Sequence, residues 1–181
     1  MRRISRTFGC LAIALAASAS LAACRDAVTG RGGNGLNPLV VTIVASSGVS
    51  GENPTGTVSF HFGGGGGPTR SGEVSCLSVR ANTAILGFGE GYYHDLGENH
   101  WVTGLVRVVD NGPGPGDTFE YVELERGPPA PPFEPPPGDP LPGPTECSTF
   151  PPDQQVYVLD PLDDPEVFRI NDALPLRASK D

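Results

Sequence analysis

The chain has 181 residues, among them 25 Gly and 20 Pro, and a formal net charge of −9. That length supplies one domain, and that much Gly and Pro leaves little room for helix. So acidic a chain repels phosphate backbones, and no Lys or Arg cluster offsets the charge, which excludes nucleic-acid binding.

Arg2, Arg3 and Arg6 precede an apolar run, "FGCLAIALAASASLAAC", that ends at Cys24. A charged start, a short apolar centre and a small-residue end make residues 1–23 a secretory signal peptide. Ser18 and Ser20 interrupt the run, which is too short for a spanning helix. Leu21-Ala22-Ala23-Cys24 resembles the lipobox of bacterial lipoproteins. The resemblance implies that Cys24 is acylated, with chains such as palmitate, and becomes the first residue of the mature protein. Several acyl chains exceed the two signals that stable anchoring needs, so the membrane is the expected partner. Arg25 follows Cys24 where an inner-membrane retention signal would place Asp. The expected location is the cell envelope, facing the periplasm or the exterior, on the outer membrane of a cell that has one. Cleavage removes three arginines and no acid, so the charge of −9 becomes −12.

Residues 24–38, "CRDAVTGRGGNGLNP", are Gly-rich without apolar periodicity. They read as a flexible tether reaching about 20 Å on average. Eight short runs of strand composition follow, beginning at Leu39, Thr55, Gly72, Thr83, His100, Thr118, Gln155 and Glu166. Each is bounded by Gly, Pro, Asn or Asp, and no helical spacing appears. Val58, Phe60 and Phe62 alternate with Ser59 and His61, which buries one face of that strand and turns His61 to solvent. Gly63 to Gly67 reads as a mobile loop, and Ala81-Asn82 as a hairpin turn with Asn able to take the left-handed conformation. The expected fold is all-β, a small antiparallel sandwich or barrel of about eight strands spanning 39–176, with a disordered tail at 177–181.

With Cys10 in the signal peptide and Cys24 acylated, Cys76 and Cys147 are the cysteines left to the domain. An exported compartment permits disulfides, and the loop of about 70 residues closed by this pair contributes about 4 kcal/mol on the chain-entropy model. Residues 127–144 contain 10 prolines in 18 positions. Proline has no N–H for a central strand, so this is a long surface loop of polyproline-II character, held at its far end by the disulfide.

"GEVSCLSVRANTAIL", then "VVDNGPGPGD", a lone Cys and "FRINDA" resemble a family of uncharacterised exported bacterial β-domains. The likeness spans Gly56 to Ala173. It implies the same β fold and the same cysteine pair, and it implies no activity. The proline-rich insertion and the missing glycine before the last run depart from the family pattern.

Asp110, Asn111, Asp117 and Glu120 offer side-chain oxygens around "DNGPGPGD", as a calcium site of six to eight oxygens requires. The spacing is not that of an EF-hand. Asn-Gly and Pro-Gly are also turn formers that need no metal. His94, Asp95, Glu98 and His100 offer transition-metal ligands without helical spacing. Tyr92, Tyr93 and Trp101 suit either a sugar-stacking platform or a core. Glu123 and Glu125, two apart on a strand, are the nearest approach to paired catalytic acids. No nucleophile elbow, free exported cysteine or phosphate loop appears. The expected function is a lipid-anchored, non-catalytic β domain with a structural or binding role and no cofactor. The alternatives are a calcium-dependent binding module using the 110–117 loop and an envelope polysaccharide hydrolase. The sequence identifies neither a protein nor a glycan partner.

Overall fold

The structure, a computed structural model, describes residues 25–34, 39–63, 69–94, 98–131, 134–162 and 167–173. The expected signal peptide, Cys24, Gly64 to Gly67 of the expected glycine loop and the 177–181 tail lie outside these residues. Nine strands run in chain order: β1 Asp26–Asn34, β2 Leu39–Ser47, β3 Thr55–Phe62, β4 Thr69–Arg80, β5 Thr83–His94, β6 Asn99–Val109, β7 Asp117–Arg126, β8 Tyr157–Pro161 and β9 Phe168–Asn171. From β2 to β8 each strand pairs antiparallel with the next. β1 closes the ring, pairing β2 along one edge and β8 and β9 along the other. The barrel is irregular. Its β7–β8 seam holds only from Asp117↔Leu159 to Phe119↔Tyr157.

Alternation fills the interior. Val41 and Ile43 of β2, Val58 and Phe60 of β3, Leu86 and Phe88 of β5, and Val106 and Val108 of β6 are fully buried and pack in one core with Phe119 and Phe168. The expected all-β class is therefore found, with nine strands among the described residues where about eight were expected.

The extra strand is β1, which occupies most of the segment expected to be a tether. Gly30, Gly32 and Gly33 make its composition look like coil, yet small size is what the position demands. A Cβ on Gly30 would lie 2.0 Å from the Val167 carbonyl oxygen and 2.5 Å from Phe168 Cδ1, and one on Gly32 would lie 2.2 Å from Val167 Cγ1. Glycine within a strand here marks close approach of another backbone. Val28, fully buried, anchors β1 in the core.

The Ala81-Asn82 hairpin forms as expected, but Ala81 rather than Asn82 takes the positive φ of 54°. Asn82 instead donates through Nδ2 to the Asp110 carbonyl, 2.9 Å away.

The proline-rich segment is a strap across the outer face of β4, β5 and β6. Asn99 Nδ2 donates to the Pro131 and Glu134 carbonyls, Trp101 Nε1 to Gly138 O at 3.2 Å, and Ser75 Oγ to Pro144 O at 2.9 Å. Cys76 and Cys147 are disulfide-bonded, with Cα atoms 5.8 Å apart. They form a second, outer cluster with Leu105, flanked by Ile85, Val122 and Phe150.

Strand direction gives the barrel two unlike ends. At one, β1 begins beside the 81–82 and 110–117 turns. Asp172 Oδ2 accepts from Ala81 N at 2.8 Å, Asp26 Oδ1 from Ala173 N at 3.0 Å, and Arg25 O from Asn171 Nδ2 at 2.7 Å. At the other, β3 and β5 end and β4 and β6 begin.

Candidate functional site: the arginine mouth of the barrel

Register sets the site. Phe60 of β3 lies opposite Arg70 of β4, Arg70 opposite Tyr93 of β5, and Tyr93 opposite His100 of β6. Directly opposed residues share a face, so one row of side chains crosses four strands and enters the barrel's far end. Phe60 lies wholly in the core. Arg70, one position along the row, brings a guanidinium to the core's rim.

That guanidinium is enclosed by rings. Its carbon lies 4.5 Å from the Tyr93 centroid, 5.1 Å from Tyr121, 5.7 Å from Phe62 and 6.0 Å from Phe60. These distances fall within the range at which ring quadrupoles attract a cation. Arg126 sits 4.8 Å from the Tyr93 centroid, so two cations share one ring. Glu123 is their counter-ion. Its Oε1 is 2.7 Å from Arg126 Nε, while its Oε2 is 3.1 Å from Arg126 Nη2, 3.2 Å from Tyr121 Oη and 3.7 Å from Arg70 Nη2.

Two guanidiniums face the one Glu123 carboxylate, and the Glu98 carboxylate lies beside His100 on the same rim. Arg70 Nε–H is buried and meets no acceptor among the described residues, although its side chain is only 12% exposed. A buried donor left unmatched costs the desolvation of that group. Burial works against ionisation of Glu123, but the Arg126 hydrogen bond and the Arg126 and Arg70 charges outweigh it and hold its carboxyl below the ordinary glutamate range. Burial pushes the Tyr121 hydroxyl far above the usual tyrosine range, Arg70 opposing and Glu123 adding to the shift. Tyr121 is therefore a neutral donor at any physiological pH.

His100 completes the row. Its side chain is 5% exposed, Nδ1 lies 3.1 Å from the Gly127 carbonyl, and Nε2 lies 2.9 Å from Glu98 Oε1 without good hydrogen-bond alignment.

The expected calcium residues have other occupations. Asp117 is fully buried, with Oδ1 accepting from Asn111 N and Oδ2 from Phe168 N, both at 2.8 Å. Asp110 accepts from Gly112 N at 2.8 Å and from Ile170 N at 3.3 Å. Asn111 Nδ2 donates to Gly116 O at 2.7 Å. These side chains shape the turn and hold β9 against it. Glu120 points to the opposite face, in a bidentate pair with Arg107. Among the described residues no group of three or more His, Cys, Asp or Glu side chains is arranged to hold a metal ion.

Of the other sequence candidates, Asp95 and the His94 side chain lie outside the described residues. Tyr92 and Trp101 meet edge to face, 5.8 Å apart. They stand on the outer face, with the strap bonded to Trp101, while Tyr93 is inside, so the three form no single platform. Glu123 pairs with Gly104, but a bulge at Thr103/Gly104 intervenes before Glu125, which pairs with Thr103 and is exposed. An open groove of about 480 Å³ beside the disulfide, lined by Ser50, Gly51, Arg80 and Glu146 among others, is separate from the arginine mouth.

Arg70 was missed in the sequence because "PTRSG" reads as a turn. The usable signal was parity in the neighbouring strands. Phe119, Tyr121 and Glu123 alternate, as do His100 and Val102, so a carboxylate and an imidazole fall on the inward face.

Comparison with protein-family models, with curated proteins and with solved structures finds no match to this chain. The likeness to exported β-domains over Gly56 to Ala173 therefore rests on its motifs alone.

Proposed function

We propose that the protein is a lipid-anchored, non-catalytic module of the cell envelope that binds through the arginine mouth of its barrel. The single observation that carries the reading is Arg70: a guanidinium ringed by Phe60, Phe62, Tyr93 and Tyr121, with Arg126 on the same Tyr93 ring and with Nε–H unmatched among the described residues. Such a group suits an anion, a carboxylate or phosphate, carried on a planar apolar body that the tyrosines can contact. The barrel supports a binding role because its interior is packed with side chains and rigidly positions the mouth. The acylated Cys24 implied by the lipobox keeps the module at the membrane.

The test is titration of the mature chain, with Cys24→Ser for solubility, using benzoate and, separately, benzylamine. Chemical shifts of the arginine Nε–H groups provide the readout. Saturable shifts at Arg70 and Arg126 with benzoate, absent with benzylamine and lost in Arg70→Met, are expected. Indifference of Arg70 to both probes would refute the binding role of the mouth.

A further inference from the structure

We infer that the barrel stands directly on the bilayer on its acidic end, so that the arginine mouth faces away from the membrane. The inference rests on the lipid-anchor reading of Cys24 and adds to it an orientation that the lipobox alone does not contain.

The first observation is the length of chain between the lipid and the fold. Only Arg25 separates Cys24 from Asp26, the first residue of β1. Two Cα steps reach about 8 Å at most. A tether of fifteen residues would let the barrel tumble, but two steps do not.

The second observation is that the joint is fixed on the barrel side. Asp26 pairs with Ser47, its Oδ1 accepts from Ala173 N, and the Arg25 carbonyl accepts from Asn171 Nδ2 at 2.7 Å. Two separate segments, the end of β2 and residues 171–173, thus hold the point from which the acyl chains leave. That point lies at the end carrying the β2–β3, β4–β5 and β6–β7 turns. The mouth lies at the opposite end, because β1 and β3 run from the first end to the second and β4 returns. Nine residues of strand at about 3.3 Å each, tilted in a barrel wall, separate the two by about 20 Å.

Charge decides what holds the contact. Among the described residues, Asp26, Glu52, Asp110 and Asp172 at the anchored end outnumber Arg25 and Arg80. This end does not attract anionic headgroups, so attachment depends on the acyl chains and orientation on the short joint. The bilayer is accordingly a neighbour set by covalent geometry, and the arginine mouth is presented to the aqueous side, where an anionic ligand can approach it.

The experiment uses the lipidated protein in phosphatidylethanolamine/phosphatidylglycerol vesicles that carry a headgroup-attached acceptor dye. Cys76 and Cys147 are joined, so one introduced thiol can be labelled: Ser50→Cys at the anchored end or Glu125→Cys at the far end. Energy transfer is expected to be about twofold or more higher from position 50, as a separation of about 20 Å implies. A 20-residue Gly/Ser insertion between Cys24 and Arg25 is expected to abolish the difference. Equal or reversed transfer in protein that floats with the vesicles would overturn the orientation alone. Protein that does not float, with Cys24 unmodified by mass, would overturn the lipid anchor and the orientation together.

Discussion

Arg70 and Tyr93 face each other across the β4–β5 pair, with the guanidinium carbon 4.5 Å from the ring centroid. A cation so placed is held by ring faces rather than by water. A desolvated cation–π contact is worth about 2 kcal/mol. Arg70→Ala removes such contacts and leaves a void, and is expected to cost about 2 to 4 kcal/mol in urea unfolding. Arg70→Met fills the same space without an unmatched Nε–H and is expected to lose less than half as much. Equal losses would show that the charge, rather than the volume, holds this end together.

Asp117 and Phe168 make a second long-range pair, carboxylate to backbone N–H at 2.8 Å. Asp117→Ala strands two backbone donors, Asn111 N and Phe168 N, and is expected to cost about 2 to 4 kcal/mol. Asp117→Asn keeps an acceptor and is expected to lose less. Because these oxygens are engaged by the backbone, the melting temperature is expected to be the same in calcium and in chelator. A rise of several degrees with calcium would instead make the 110–117 loop a metal site.

Acid and neutral stability should respond to two groups in opposite directions. Burial raises the Asp26 pKa against the lowering by Ala173 N–H, and Asp172 and Glu52 add to the rise. Its folded form holds the proton more tightly than the unfolded chain does. Its stabilising contribution is thus present below the unfolded value of 3.8 and lost as pH rises through the raised folded value. Glu123, with a depressed pKa, contributes above its unfolded value of 4.5 and loses that contribution as pH falls through the folded value. Asp26→Asn, which keeps an acceptor for Ala173, is expected to gain about 1 kcal/mol or less at pH 7. Glu123→Gln is expected to lose stability at pH 7 and to flatten the acid limb. Denaturant unfolding from pH 3 to 8 checks both signs.

The disulfide links β4 to the far end of the strap across 71 residues. Reduction, or Cys76→Ala with Cys147→Ala, is expected to remove about 4 kcal/mol on the chain-entropy model. Since Trp101 bonds to Gly138 of the strap, its fluorescence is expected to shift to the red before the barrel unfolds. Simultaneous loss of strap and barrel signals would mean that the outer cluster is part of one cooperative core.

The legible parts of the sequence were those in which one face alone is buried. Val58, Phe60 and Phe62 alternate cleanly, and β3 ends at Phe62 where that pattern does. β1 was illegible because its glycines answer to neighbours far along the chain: Gly30 is confined by Val167 and Phe168, which no local pattern reveals. The mouth was illegible for a related reason. Arg70 gains its surroundings from β3, β5 and β7, and its own local sequence, Pro-Thr-Arg-Ser-Gly, carries turn chemistry. The cysteine pair was legible by elimination, while the strap it secures shows its bonds to Asn99 and Trp101 only in the fold.

Hydrogen exchange along β1 tests most directly the claim that the chain next to Cys24 is barrel wall and not tether. The ladder amides between Val28 and Gly33 are expected to exchange as slowly as those of β2 and β3, at the rate of global unfolding. Exchange of this segment within seconds, while β2 and β3 stay protected, would contradict the account and leave the arginine mouth without a fixed direction.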